Sequence, residues 1–102
     1  MPELDPTIHA PARLRIMSAL IVLQPGAQLD FRTLGRTLGL TDGNLGAHLQ
    51  TLEEARYIKV EKGFVERKPR THVSITTRGR ARFEDHVAAL REICRMSDPE
   101  KP

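Results

Sequence analysis

Residues 40–58 read Leu40-Thr41-Asp42-Gly43-Asn44-Leu45-Gly46-Ala47-His48-Leu49-Gln50-Thr51-Leu52-Glu53-Glu54-Ala55-Arg56-Tyr57-Ile58. Leu45, Leu49 and Leu52 fall within about 60° of one another on a helical wheel, so they define the inward face of a helix from Asp42 to about Arg56. Thr41 stands where a cap belongs, and Asp42 suits the positive end of the helix dipole. Gly43, Ala47, Gln50 and Glu54 face outward, with Asn44, His48 and Thr51 along one flank. After Tyr57 the apolar period drops to two. Ile58 and Val60 alternate with Lys59 and Glu61, and Val73 and Ile75 alternate with His72 and Ser74. Between these runs, Val65-Glu66-Arg67-Lys68-Pro69 is charged and closed by proline. The pattern predicts a β-hairpin with a basic tip directly behind the helix.

Upstream, Gly39-Leu40 reads as a tight turn, preceded by a helix from Phe31 to Leu38 that Asp30 caps. Phe31, Leu34 and Leu38 share one face of it, and Gly35 weakens it by about 1 kcal/mol relative to Ala. Gln28-Leu29-Asp30 has room only for a bridging strand. A first helix is predicted from His9 to about Leu23, with Leu14, Met17 and Ile21 at helical spacing and Pro25-Gly26 beyond its end. Pro11 suits its first turn, where a missing N–H is harmless. Downstream, Thr76 or Thr77 caps a last helix to about Met96. Its Phe83, Val87, Leu90 and Cys94 are spaced like a short coiled-coil seam. Residues 97–102 read as a frayed tail. With no internal repeat and no linker, residues 1–102 form a single domain. Residues 4–76 make the helix pair and wing, and residues 77–96 a C-terminal dimerisation helix.

The composition fits this plan. At 102 residues the chain is one domain, too short for a doubly wound nucleotide-binding enzyme or a barrel. Aromatics are 4% and Trp is absent, so the core must be aliphatic. A core this small leaves apolar surface that a second subunit would cover. The net charge of +3 is modest, but its distribution is informative. Residues 59–82 carry Lys59, Lys62, Arg67, Lys68, Arg70, Arg78, Arg80 and Arg82 against only Glu61 and Glu66, a local net of +6.

Two helices joined by a tight turn and followed by a basic hairpin form a winged helix-turn-helix, an α+β architecture that is mainly α. The second helix of such a pair fits the major groove of duplex DNA, and a basic wing holds phosphates with an affinity that falls with salt. The run from Leu40 to Ile58, with His48-Leu49-x-x-Leu52-Glu53 at its centre, resembles the recognition helix of prokaryotic winged-helix regulators of the MarR/ArsR type. The opening from Leu4-Asp5 to Arg15 is similar too, as is Thr76-Thr77-Arg78-Gly79-Arg80 before the last helix. The resemblance covers roughly residues 4 to 94. It implies a dimeric transcription factor on a partly palindromic operator, with the first and last helices paired across the dimer.

The candidate major-groove residues are Thr41, Asp42, Gly43, Asn44, Gly46, Ala47, His48, Gln50 and Thr51. Lys62, Arg67, Lys68 and Arg70 are candidates for the backbone or minor groove, and Arg32 and Arg36 for further phosphates. The dimer interface is expected to use Leu14, Met17, Phe83, Val87, Leu90 and Cys94, the seam of the last helix packing either across a dimer or on its own domain. Where relatives usually carry Ser, Arg, Lys or His, this chain has Gly46, Ala47 and Gln50. Residues 41–55 contain no Lys or Arg, so no arginine of this helix reaches guanine. The helix either reads an A·T-rich site through Asn44 and Gln50, with the Ala47 methyl on thymine, or reads weakly and leaves affinity to the wing. Gly43 and Gly46 either admit a close phosphate or only loosen the helix. His48 either reads a base or bonds within its own domain. Arg78, Arg80 and Arg82 either pair with Glu84 or Asp85 or touch phosphate.

Other classes are poorly supported. His9, His72, His86 and Cys94 are scattered, without a Cys-x-Cys signature, so no metal and no cofactor is expected. The seam position of Cys94 suggests burial and an inert thiol. There is no Gly-rich phosphate loop and no nucleophile with a supporting base, so the chain is not expected to be an enzyme. A small-molecule effector is possible but not indicated, since few aromatics are present to line a pocket. A single cysteine, no secretory opening and no apolar span point to a cytoplasmic, nucleoid-associated protein without membrane contact. The rival from a different class is a winged-helix protein-interaction module, favoured by the acidic, arginine-free helix.

Overall fold

Pro11 divides the first helix expected from the sequence. The computed structural model describes residues 2–97, in the order α1 (Pro6–His9), α2 (Pro11–Ile21), β1 (Leu29–Asp30), α3 (Phe31–Leu38), α4 (Asp42–Glu54), β2 (Ile58–Val65), β3 (Lys68–Ile75) and α5 (Thr77–Met96). A residue before proline is pushed out of the helical region, and Ala10 is extended, with φ −60° and ψ 131°. The helix therefore restarts at Pro11, and the short α1 gains its own cap from the Asp5 carboxylate, which accepts from the Thr7 amide at 2.9 Å.

The caps flanking the helix pair stand where the sequence places them. Asp30 accepts from the amides of Arg32 and Thr33, and the Thr41 hydroxyl accepts from the Asn44 amide at 3.2 Å. Both helices also end in the same way. At the end of α3, Gly39 is left-handed (φ 67°) and the Leu40 amide donates to Gly35 O at 2.9 Å. At the end of α4, Arg56 is left-handed (φ 64°). Its amide donates to Glu53 O, and the Tyr57 amide donates to Leu52 O at 3.0 Å. That turn stops α4 at Glu54, two residues before the sequence-based end.

The sheet is antiparallel in the order β1-β3-β2. Leu29 pairs with Val73, and the hairpin runs from Ile58–Ile75 out to Val65–Lys68. Glu66 (φ 51°) and Arg67 (φ 67°) form its two-residue turn.

The core is aliphatic, as the composition requires. Ile8, Ile16, Met17, Leu20, Leu34, Leu45, Leu52 and Val73 are fully buried, with Leu49 and Ile58 nearly so. On α5 the buried stripe is Gly79, Phe83, His86 and Ala89. Two expected interface residues therefore belong to this core: Met17 is inaccessible and Phe83 is 8% exposed. They pack inside the chain because α5 folds its first three turns back onto α1 and α2. Val87 and Leu90 are half-buried, and Cys94 is exposed rather than buried. Residues 61–69 and 90–97 bury no side chain, so wing and helix project and the molecule measures 59 × 25 × 22 Å. Of the tail read at 97–102, residues 98–102 lie outside the described residues.

Candidate nucleic-acid interface

Leu45, Leu49 and Leu52 anchor α4 and turn its other faces to solvent. Thr41, Asp42, Gly43, Asn44, Ala47 and Gln50 are exposed, while Gly46, His48 and Thr51 are half-buried. Three of these side chains have partners within the fold. The Gln50 amide donates to Glu54 at 3.2 Å, and the Thr51 hydroxyl donates to Ala47 O at 3.3 Å. His48 Nδ1 lies 3.2 Å from an Arg13 guanidinium nitrogen. Arginine only donates, so His48 Nδ1 is the acceptor and the ring proton sits on Nε2. Arg13 also donates through Nε to Thr7 O, which ties the α4 flank to α1 and α2. Nothing within residues 41–58 points to Arg13, which lies 35 positions from His48 in sequence.

A groove of about 510 Å³ separates α4 from the sheet and is lined by Phe31, Gly46, Leu49, Gln50, Glu53, Val60, Lys62 and Thr71. It joins helix residues Gly46 and Gln50 to wing residue Lys62. A smaller cavity brings Arg32 of α3 together with Pro69 and Arg70 of β3. Lys62, Arg67 and Lys68 are exposed and Arg70 half-buried, and among the described residues none has an ion-pair partner. Lys59 is different, being bound to Glu61 at 3.1 Å. Arg36 is exposed on the last turn of α3, without a described contact to the wing. A Cβ at Gly43 or Gly46 would meet open space, so neither glycine is required by packing.

Two of the three arginines after the wing bond to backbone carbonyls rather than to Glu84 or Asp85. Arg78 donates to Ala55 O, at the end of α4, and Arg80 donates to Ile21 O and Leu23 O, at the end of α2. Both cations sit on orphan carbonyls at negative helix ends, where a charge-assisted hydrogen bond is strongest. Arg78 also stacks 5.5 Å above the Tyr57 ring.

The histidines called scattered are partly gathered by the fold. His9 and His86 have ring centroids 5.3 Å apart, with His9 Nδ1 3.4 Å from His86 Nε2. The Asp5 amide donates to His86 Nδ1 at 2.9 Å, and the Tyr57 hydroxyl donates to the Asp5 carboxylate. Burial pushes His86 below the usual histidine value, reinforced by His9 and opposed by Asp5. Burial and the bond to Asp5 push the Tyr57 phenol upward, against the pull of Arg82 and Arg78. Among the described residues no group of three or more His, Cys, Asp or Glu stands together as a metal cage. Nor is any helix long and apolar enough to cross a membrane.

Comparison with known proteins agrees with this geometry. The sequence pattern of the family described as winged helix DNA-binding domain matches residues 12–94. An uncharacterized protein of Methanocaldococcus jannaschii is 31% identical over 81 residues, spanning 79% of this chain and 85% of the relative. A transcriptional regulator homologue from Pyrococcus horikoshii superimposes with a TM-score of 0.82 at 30% identity, covering 90% of this chain and 88% of that one. A MarR-family transcriptional regulator from Enterococcus faecalis superimposes at 0.67 with 26% identity, over 88% and 74% of the respective chains. The two solved structures are described as a transcriptional regulator homologue and a transcriptional regulator.

Proposed function

The chain belongs to the winged helix DNA-binding domain family, and from that premise we propose that it is a sequence-specific transcriptional regulator that binds duplex DNA as a homodimer. The observation that carries this reading is the continuous surface formed by the exposed face of α4, the groove at Gly46, Gln50 and Lys62, and the wing cations. Residues 41–51 enter the major groove. Lys62, Arg67, Lys68 and Arg70 hold the backbone or minor groove, with Arg32 and Arg36 on neighbouring phosphates. Arg67 supports this assignment by its backbone. A two-residue hairpin turn with positive φ favours Asn-Gly, and the chain instead keeps a guanidinium there in left-handed conformation.

The dimer contact is the outer part of α5. Leu90, Ile93 (48% exposed) and Met96 (86% exposed) extend beyond the last buried residue, and together with Val87, Leu14 and Cys94 they offer an apolar face for a second copy. The acidic α4 favours one other reading, a protein-binding module, because Asp42, Glu53 and Glu54 are exposed there without an ion-pair partner among the described residues.

Selection from a random duplex pool, with affinity followed against salt, tests the proposal. A two-fold motif with half-sites about one helical turn apart is expected. Replacing Arg67, Lys68 and Arg70 together with Gln lowers the salt slope by up to about 3 per protomer and weakens all sequences alike. Absence of binding at low salt would replace the DNA reading with the protein-binding one.

A further inference from the structure

Phe64 is held on the wing with 77% of its surface exposed, beside Val65 at 49%. The chain has three phenylalanines and one tyrosine, and the other three of these residues pack in or against the core. Side chains alternate along a strand, so Phe64 shares a face of β2 with Val60 and Lys62. The register sets Pro69 opposite Phe64, beyond the pairs Lys62–Thr71 and Val60–Val73. At its base this face is core, with Val73 fully buried. One rung out, Lys62 and Thr71 line the groove shared with α4. The Phe64–Pro69 rung continues the strip past the core, on the side of the wing where α4 lies.

Phe64, Val65 and Pro69 together place an exposed apolar cluster at the hairpin tip, rimmed by charged residues, the pattern of a contact surface, and the charge at the tip selects the partner. Lys62 shares the face of Phe64 and Arg67 stands in the turn beside it, while Lys68 and Arg70 lie on the opposite face of the hairpin. None of the four has an ion-pair partner among the described residues, Glu61 is already bound by Lys59, and the exposed Glu66 shares the turn with Arg67. Covering this tip with an apolar protein surface would strip water from those cations without compensation. A polyanion with apolar faces between its charges satisfies both, and duplex DNA has that chemistry. We propose that Phe64 is a wedge that the wing inserts at a base step of the minor groove, unstacking it and bending the duplex, while the wing cations hold the flanking phosphates. This rests on the DNA-binding reading above and adds to it a deformation of the DNA. The preferred step is a flexible pyrimidine–purine step such as TA, which unstacks most readily.

The test uses the full chain and a duplex selected from the random pool. The duplex carries end-labelled dyes to report bending and 2-aminopurine at the wing-proximal step to report unstacking. Wild-type protein should shorten the end-to-end distance and raise the 2-aminopurine signal. Phe64→Ala should return both toward the unbound duplex and weaken binding by roughly tenfold, with the salt slope unchanged. Phe64→Leu should keep most of the bend, since leucine also serves as a wedge. Because Phe64 is exposed, its thermal midpoint serves as the control for folding. Tight, salt-dependent binding to a straight duplex would overturn the wedge and leave the DNA-binding reading standing. So would a bend that survives Phe64→Ala, or a Phe64→Ala effect confined to oligomeric state. No binding to any duplex would overturn both.

Discussion

The backbone amide of Asp5 donates to Nδ1 of His86 at 2.9 Å, across 81 positions of sequence. It fastens the segment before α1 to α5, and the Asp5 carboxylate fastens the same segment to Tyr57, just beyond the end of α4. His86 is fully buried and accepts at Nδ1, so its proton lies on Nε2, facing His9. Three chain segments therefore meet at one polar cluster whose hydrogen-bond directions depend on His86 being neutral.

Stability should consequently fall on both sides of a plateau. His86 has its folded value pushed below the ordinary 6.5. Its contribution is whole above 6.5 and is lost as pH falls through the folded value, because the unfolded chain takes up the proton first. Tyr57 has its folded value pushed above 10.0, so its contribution is whole below 10.0 and is lost as pH rises through the folded value. Urea midpoints measured across pH should show both limbs. His86→Gln should flatten the acid limb and Tyr57→Phe the alkaline one. An unchanged acid limb in His86→Gln would show that another group carries it.

Arg56 and Gly39 occupy equivalent left-handed positions at the ends of α4 and α3, and only one of them is glycine. A side chain in that conformation costs about 1 kcal/mol. Arg56→Gly should therefore raise the thermal midpoint by about 4–8 °C, whereas Gly39→Ala should lower it by a similar amount. The prediction fails if Arg56→Gly is neutral or destabilising in calorimetry.

Gly79 has no such conformational reason. A Cβ there would fall on the Tyr57 carbonyl, which α5 approaches through its first turn. Gly79→Ala must push α5 off the wing root and should cost about 3 kcal/mol or more, read as a shift in the denaturant midpoint. Gly43→Ala and Gly46→Ala meet open space and should stabilise α4 by up to about 1 kcal/mol each. Their effect on DNA affinity then reports how closely the backbone approaches phosphate.

Arg80 separates cations that serve the fold from those proposed to hold DNA. Its guanidinium holds Ile21 O and Leu23 O, so Arg80→Met should destabilise the fold by about 1–3 kcal/mol while leaving the salt slope of DNA binding unchanged. Lys68→Gln should do the reverse, with no change in midpoint and a slope reduced by about 1 per protomer. A salt slope that falls in Arg80→Met would return Arg80 to the interface.

Local chemistry made the helix pair and hairpin legible. Asp30 and Thr41 announce their helices through side-chain capping, Leu45, Leu49 and Leu52 announce an inward face, and the change to a period of two announces the wing. The end of α4 is not legible locally, because Arg56 takes the left-handed position expected of glycine. The break at Ala10 is not legible either, because Pro11 suits a first turn but also unwinds the residue before it. The α5 seam drifted by one position. Its apolar spacing fits a coiled coil, yet a glycine and a histidine occupy two of the four positions that are buried.

What the sequence determined by itself is whatever depends on neighbours within about one helical turn or one strand pair: the caps, the periods, the turn sites and the concentration of cations at residues 59–82. Only the tertiary structure decided which of those cations serve the fold. Arg78 and Arg80 are spent on helix ends, while Lys62, Arg67, Lys68 and Arg70 remain on the wing. It also brought Arg13 to His48 and closed the Asp5, His9, Tyr57 and His86 cluster. The physical reason is range. Capping and periodicity act between residues a few positions apart, whereas a hydrogen bond between residues 35 or 81 positions apart exists only after the core has folded and carried its partners together.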